Sequence, residues 1–381
     1  MNPSIVVETA NPVKNKEGAL QHGVERILKV MKVHYEDLLT YDPKGLSSNH
    51  EYWADINLGE PGLELEELNK NLTWPEILFM IRGMNRNTTP GKDEVHINVL
   101  KIMVREECMV VLQKDNPNFR CPDNVFVDLS ETEVRKLLKT PLTGMGKSFY
   151  YLIDKVWLTA CVPEQWQEVH IVNLFKGGDS ENTNNYRGVS LISCAYKVLL
   201  CLMANHPSSQ CESEGLLCTE QAGFHPHEEA VAQAIALAKI VRRCFLVGHH
   251  TLGAFIDFKK VYNRVYHAYL GHLLHHIGIL GQFLKMIVKS YSKTQYVVHI
   301  GNHLSAVFTP TRGAKQGDPL SSILFDIFIN DCLKKVVDDG LGIIVQGYTL
   351  GRIPGLMYAD DVVILSKGIE DVQRGLMSIY E

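Results

Sequence analysis

Tyr358-Ala359-Asp360-Asp361 sets two adjacent carboxylates between two apolar runs, within GLMYADDVVIL (355–365). Apolar residues on both sides predict a strand, a turn and a second strand, with the acids at the turn. Carboxylates this close to a core are costly unless a cation or a partner compensates them. A third acid, Asp257, ends another short apolar run, TLGAFIDF (251–258). Two such strands adjacent in one sheet would bring Asp257 to the Asp360-Asp361 turn. Three carboxylates at one point make a hard-oxygen site suited to Mg2+. Two Mg2+ ions about 3.5–4 Å apart can activate an attacking hydroxyl and stabilise a leaving pyrophosphate. A bare Asp-Asp pair is more often a solvated turn, because aspartate is a common turn former. The whole tetrapeptide in a strand–turn–strand setting is far more specific.

Other candidates are weaker when taken singly. Tyr262 alone reads as a core aromatic, and Lys176 alone as a solvated lysine. Arg187, between Tyr and Gly in a loop, stands evenly between structure and function. So does Gln316-Gly317-Asp318-Pro319, a plausible turn. His272 and His276 are four apart on an expected helix, as zinc ligands can be. No third ligand has convincing spacing, so they read as solvated or packed histidines.

The elements that must position these residues follow from period and punctuation. Residues 22–39 have a helical stripe of Ile27, Val30, Met31 and Tyr35. Residues 40–71, rich in acids and Gly/Pro, read as a linker. Thr73 and Glu76 form a capping box around Pro75, and Ile77, Met80, Ile81 and Met84 continue as a helix ending before Pro90-Gly91. Residues 113–130 read as a loop insertion. A helix is expected over 147–160, a strand over 168–175, a turn at Gly177-Gly178-Asp179, and helices over 188–204 and 228–247. A strand at 251–258 precedes helices near 264–277 and 281–291. Residues 295–300 and 304–309 read as a strand pair around Gly301-Asn302. Leu320, Ile323, Leu324, Ile327 and Phe328 mark a helix over 320–336, and the last twelve residues fit another. Strands and helices mixed without regular βαβ units predict an α+β fold.

With 381 residues, 45% hydrophobic and 21% charged, the chain can bury roughly three quarters of its unfolded surface without staples. Its length suits roughly two to three domains or lobes. The composition argues against wholesale disorder, collagen and a multi-span membrane protein. Charge is uneven: residues 1–75 hold 12 Asp/Glu against 7 Lys/Arg, whereas 251–335 hold 10 Lys/Arg against 4 Asp/Glu. A local basic field of that kind suits a polyanion, although a solvated basic face is the plainer reading. Nine cysteines, none in a Cys-x-x-Cys pair, read as reduced thiols with no disulfide partner, in an intracellular compartment, nuclear or cytoplasmic. The N-terminus lacks a secretory signal. The longest apolar stretch, 189–206, contains Lys197 and falls short of a membrane span.

YADD, AFIDFKKVYNRV (254–265) and RGAKQGDPLSSILFDIFIND (312–331) together resemble a reverse transcriptase. TPGKDEVHINVLK (89–101), PEQWQEVHIVNLFKGGDSENTNNYRGVSLISCAYKVL (163–199) and TEQAGF (219–224) narrow the resemblance to retrotransposons without long terminal repeats, the LINE type. RILKVMKVHYEDLL (26–39) is similar to the helix that often precedes that domain. The motifs run in the family's order from about residue 24 to the end.

The resemblance implies a right-hand polymerase: an antiparallel palm sheet backed by helices, with fingers. The expected limits are 1–75 for an N-terminal extension and linker, 76–250 for fingers and 251–381 for palm, with a homology core over about 155–381. It implies RNA template, DNA primer and dNTP as partners, no membrane, and two Mg2+ ions, with Mn2+ able to substitute. Asp257, Asp360 and Asp361 match the three metal-binding carboxylates. Tyr262 matches the aromatic under the incoming sugar, whose ring would clash with a 2′-hydroxyl. Gln316 and Gly317 match the loop packed on the nascent base pair. Lys176 and Arg187 match the fingers cations that hold the triphosphate.

The chain also departs from the family pattern. Asn263 stands where a second Asp is usual, Val261 replaces a small alanine, and Ser322 stands where proline is usual. His225 and Glu228-Glu229 replace a basic stretch and weaken the positive field along a template path. Only 20 residues follow Asp361, so a chain truncated after YADD and lacking the thumb is expected, with little or no processive synthesis. A catalytically incompetent remnant that binds nucleic acid and a viral-type RNA-dependent RNA polymerase palm are the alternatives.

Overall fold

Thr73 opens its helix as its spacing predicts. Its backbone N–H and its hydroxyl both donate to the Glu76 carboxylate, at 2.9 and 2.6 Å. The helix Trp74–Gly83 then buries Trp74, Ile77, Leu78 and Ile81. The computed structural model describes residues 11–40, 62–120, 129–214, 216–218, 220–223, 229–258, 260–345 and 352–380. His225, Glu228, Cys121 and residues 41–61 of the expected linker lie outside the described residues. No described helix is long and apolar enough to cross a membrane.

The strands in chain order are β1 (Val13–Lys14), β2 (Leu20–Gln21), β3 (Glu168–Phe175), β4 (Tyr186–Leu191), β5 (Leu252–Asp257), β6 (Gln295–Ile300), β7 (His303–Leu304), β8 (Ile343–Ile344), β9 (Arg352–Ile353), β10 (Gly355–Tyr358) and β11 (Asp361–Ser366). Two compact units emerge, Met1–His206 with Tyr266–Leu320, and Pro207–Val265 with Ser321–Glu381. They are defined by packing, whereas the expected fingers and palm are defined by role. The class is mixed α+β, as the sequence predicts.

In the first unit the sheet order is β4-β3-β6-β7, with β3 parallel to β6 and antiparallel to β4. The helix Val24–Thr40 lies against it and buries Ile27, Leu28, Met31, Tyr35 and Leu39. The Tyr35 hydroxyl donates to Asn173 at 2.8 Å. The Tyr35 ring passes so close to Gly188 that a Cβ there would lie 2.8 Å from it. Arg312 donates to the carbonyls of Leu38 and Asp37 at the end of this helix, satisfying two of its orphan acceptors.

Several expectations change here. Residues 188–191 are strand, because β3 offers them a ladder, and the helix starts only at Cys194. The second strand of the 295–309 pair shrinks to His303–Leu304, with one further bridge between Tyr296 and Phe308. Residues 66–69 form a 3-10 helix with Leu65, Leu68 and Leu72 buried, so this end of the expected linker is packed. A helix at Ile97–Asp115, not expected from the sequence, buries Leu100, Val104, Cys108 and Val111.

In the second unit β11 is the central strand of an antiparallel sheet ordered β10-β11-β5. Its core joins Val363 and Leu365 to Ile240 and Cys244 of the helix Ala230–Leu246, and to Ile343, Val345 and Ile353. The helix Ile369–Tyr380 also packs on β11, with Gly375 against Ile364. The single helix expected over 320–336 is two, Pro319–Ile329 and Asp331–Asp338. Between them the Asn330 amide accepts from Cys218 N–H at 2.7 Å and donates to the Leu216 carbonyl at 3.0 Å.

Candidate active site

Strand pairing brings two of the predicted carboxylates together. Asp361, the first residue of β11, lies directly opposite Asp257, the last residue of β5. Directly opposed residues in an antiparallel pair have Cβ atoms about 4.5–5.5 Å apart, and like charges so placed repel. Asp360 adjoins them as the second residue of the two-residue loop between β10 and β11, since Tyr358 pairs with Asp361. Asp257 and Asp361 are exposed and Asp360 half-buried. Among the described residues none of the three carboxylates has a hydrogen bond or ion pair. No three His, Cys, Asp or Glu side chains among the described residues close into a metal cluster. The register therefore supplies two facing carboxylates, and the chain places the third beside them. Hard oxygens, accessible and electrostatically uncompensated, are the donor set a divalent cation takes.

The turn has a support that sequence reasoning did not single out. Ala359 has φ +54, the left-handed region, while Asp360 does not. Positive φ in a two-residue hairpin loop is the conformation for which glycine is favoured. For alanine this costs about 1–2 kcal/mol. Gln221 meets that residue. Its side-chain oxygen accepts from Ala359 N–H at 3.0 Å, and its amide nitrogen donates to the Ala359 carbonyl at 3.3 Å. Gln221 belongs to the TEQAGF segment, but its target is 138 residues away.

Tyr262 follows β5 in a short 3-10 turn, Val261–Arg264. Its half-buried ring stacks on Phe325 with centroids 4.0 Å apart and planes at 16°. Phe325 is fully buried, so one face of the tyrosine ring rests on a fixed base.

The remaining predicted residues belong to the first unit. Lys176 and Arg187 sit on the β3–β4 hairpin, whose turn uses positive φ at Gly177 and Gly178. Leu174 pairs with Arg187, and Lys176 N–H extends the ladder to the Asn185 carbonyl. Alternation then puts Lys176 on the same face as Arg187. Both are exposed. The Arg187 Nε donates to the Gln316 side-chain oxygen at 2.9 Å, and Ser190 N–H donates to the Gln316 carbonyl at 2.7 Å. Gly317, at φ +108, presses on Ser190, where a Cβ would meet the carbonyl oxygen at 2.9 Å. Arg187, Gln316 and Gly317 thus form one contact group.

That group stands on buried charge. Lys315 donates to the Ser290 carbonyl at 2.9 Å and lies over the Tyr291 ring. Burial pushes its ammonium down to about 8, with Asp318 opposing the shift. Burial likewise raises the Asp318 carboxyl, against the pull of Lys315. One Asp318 oxygen accepts from Leu320 N–H at 2.9 Å.

An antiparallel sheet with an aspartate ending one strand, opposite an Asp-Asp hairpin on the next, defines a polymerase palm. The chain belongs to the reverse transcriptase (RNA-dependent DNA polymerase) family, whose model matches residues 176–381. The transposon TX1 uncharacterized 149 kDa protein of Xenopus laevis is 21% identical over 359 residues, covering 94% of this chain and 24% of that protein. The Pol polyprotein from the type-1 retrotransposable element R2 of Nasonia vitripennis is 24% identical over 262 residues, covering 66% and 25%. The probable RNA-directed DNA polymerase from transposon BS of Drosophila melanogaster is 26% identical over 178 residues, covering 44% and 19%. This chain thus spans a quarter or less of the length of these relatives. Among solved structures, apo telomerase from Candida tropicalis, truncated from its C-terminal domain, matches with a TM-score of 0.41 and 13% identity over 62% of this chain and 52% of that one.

Proposed function

We propose that this chain carries the nucleotidyl-transfer centre of an RNA-directed DNA polymerase. The reaction is attack of a primer 3′-hydroxyl on the α-phosphorus of a dNTP paired to an RNA template, with pyrophosphate leaving. The observation that carries the reading is the register of Asp361 against Asp257, with Asp360 next in the chain. Divalent ions held by these three residues, Mg2+ or Mn2+, would supply charge stabilisation for the attacking and leaving oxygens. Lys176 and Arg187 neutralise the triphosphate, the guanidinium as a planar fork and the ammonium as a mobile point charge. Gln316, fixed by its bond to Arg187, and Gly317 pack on the nascent pair. Tyr262, backed by Phe325, lies under the sugar.

The test is addition of the first nucleotide to oligo(dT) on poly(rA), with Mg2+ and either dTTP or UTP. The reading requires addition from dTTP that depends on the template and the metal. Addition from UTP alone would instead favour an RNA-dependent RNA polymerase, and no addition at high enzyme would favour a remnant that only binds nucleic acid.

Two side chains give separate readouts. Arg187→Ala should raise the KM for dTTP about tenfold, the loss of a charge-assisted phosphate contact. The side chain is exposed, so the unfolding midpoint should hardly move. Equal dTTP dependence in parent and variant would reject the role. Tyr262→Ala should lower the preference for dTTP over UTP by roughly tenfold to a hundredfold, the range over which steric fit discriminates. Unchanged discrimination would reduce Tyr262 to a packing partner of Phe325.

A further inference from the structure

The segment Glu220–Gly223 runs along β10 as an added partial strand. Met357 N–H donates to the Glu220 carbonyl at 2.8 Å, and Ala222 N–H donates to the Met357 carbonyl at 3.0 Å. The pairing is parallel, between Gln221 and Met357. The segment is itself anchored, because Asn330 binds Cys218 N–H and the Leu216 carbonyl. Its product is a Gln221 side chain only 3% exposed, with both ends of the carboxamide engaged. The oxygen accepts from Ala359 N–H and from Gly223 N–H, at 3.0 and 2.8 Å, and the nitrogen donates to the Ala359 carbonyl. Gly223 is equally particular: a Cβ there would lie 2.2 Å from the Ala359 nitrogen. Only glycine lets the segment approach the turn this closely.

The contacts converge on Ala359, the left-handed residue of the turn. In a two-residue hairpin loop the turn type fixes the register of the strands. If Ala359 relaxed to negative φ, Asp360 would be re-aimed and the Tyr358–Asp361 pair that closes the hairpin would be disturbed, moving Asp360 away from Asp361 and Asp257. An alanine does not hold positive φ unaided, whereas a glycine does.

We infer that Gln221 is a positioning residue, a carboxamide clamp that holds the Asp360-Asp361 turn in the conformation able to bind divalent cations. The inference rests on the reading that Asp257, Asp360 and Asp361 are the cation ligands. A side chain that served packing alone would not need both its donor and its acceptor on one strained residue. Gly223 serves the same clamp by giving it room.

The test is direct Mn2+ binding to the whole chain, followed by the spin-resonance signal of free Mn2+, in the parent, Asp361→Asn, Gln221→Ala, Gly223→Ala and the double variant Gln221→Ala with Ala359→Gly. Asp361→Asn should weaken binding because it removes a ligand. Gln221→Ala should weaken it about tenfold, the loss of roughly one net hydrogen bond's worth of turn preference. Gly223→Ala should do the same. Ala359→Gly should restore most of the loss in the Gln221→Ala background, since glycine adopts the left-handed conformation without a clamp. Circular dichroism checks the fold of each variant; if Gln221→Ala does not fold, Gln221→Met, which keeps the length of the side chain and adds no charge while losing the carboxamide, takes its place. Parent-like binding in the Gln221 variant, beside weakened binding in Asp361→Asn, overturns the clamp alone. A loss that Ala359→Gly does not restore also overturns it, because a generally loosened sheet is not repaired by one glycine. Binding that Asp361→Asn leaves unchanged overturns the carboxylate reading and the clamp with it.

Discussion

Asp361→Asn is expected to lower single-turnover nucleotide addition by roughly a thousandfold or more, while the folded chain becomes no less stable. The first half follows from charge. A carboxylate that neutralises a metal-assisted phosphoryl transfer is worth several kcal/mol, and each ~1.4 kcal/mol is tenfold in rate. The second half follows from register. Asp361 and Asp257 are opposed on neighbouring strands, both exposed, with no described group between them to offset their repulsion. Removing one charge relieves a like-charge cross-strand pair, which is destabilising in the metal-free chain. Activity and stability should therefore move in opposite directions, the mark of a site whose strain serves function. Rapid-quench addition of dTTP measures one, and thermal unfolding in EDTA the other. A variant that adds nucleotide normally would end the assignment. So would one that loses activity only because it unfolds.

The motif residues were legible because their settings are local. GLMYADDVVIL reads as strand, turn and strand from its apolar runs, and the structure has β10 and β11 there. TLGAFIDF reads as a strand, and β5 is that strand. What the residues could not state is which hairpin strand lies beside β5. Nothing in either run distinguishes β11 from β10 as the neighbour, and that choice puts Asp361, rather than Tyr358, opposite Asp257. Gln221 was hidden for a related reason. A glutamine in a short loop gives no periodic signal, and the left-handed conformation it serves falls on an alanine.

Local signals also failed where tertiary partners overrode them. VSLI at 189–192 is a short apolar run that helix and strand share equally, and only pairing with β3 decides it. The helix Ile97–Asp115 carries a usable stripe, but buried Lys101 and Glu107 interrupt it. Each is hydrogen-bonded to backbone: Lys101 donates to the Arg82 carbonyl at 2.9 Å, and Glu107 accepts from Leu142 and Thr143 N–H, both at 2.8 Å. Such long-range satisfaction of a buried charge leaves no trace in the pattern. Asn330 splits a continuous apolar stripe by the same logic, because its amide binds a segment more than a hundred residues upstream.

Asp326→Asn is expected to stabilise the chain at alkaline pH and to flatten its pH dependence. Asp326 lies in the helix Pro319–Ile329 at 1% exposure, and among the described residues neither of its oxygens has a hydrogen-bond partner. Burial alone pushes its carboxyl up to about 8. In the unfolded chain the group ionises near its ordinary value of 3.8. Between those limits the folded state holds a proton that the unfolded state has released, so stability falls as pH rises from about 4 to about 8. Each unit of displacement is worth about 1.4 kcal/mol, and the accumulated penalty reaches several kcal/mol at the upper end. Asparagine has nearly the same shape and no proton to lose, so it never meets that cost. The buried Lys315 and Asp318 impose slopes of their own, but parent and variant share them, and they cancel in the difference. Urea unfolding at pH 4.5, 6 and 8 isolates it. The two proteins should be closest at pH 4.5, and the variant should lead by a widening margin towards pH 8. Parallel curves across that range would mean that Asp326 ionises in the folded chain as readily as in water.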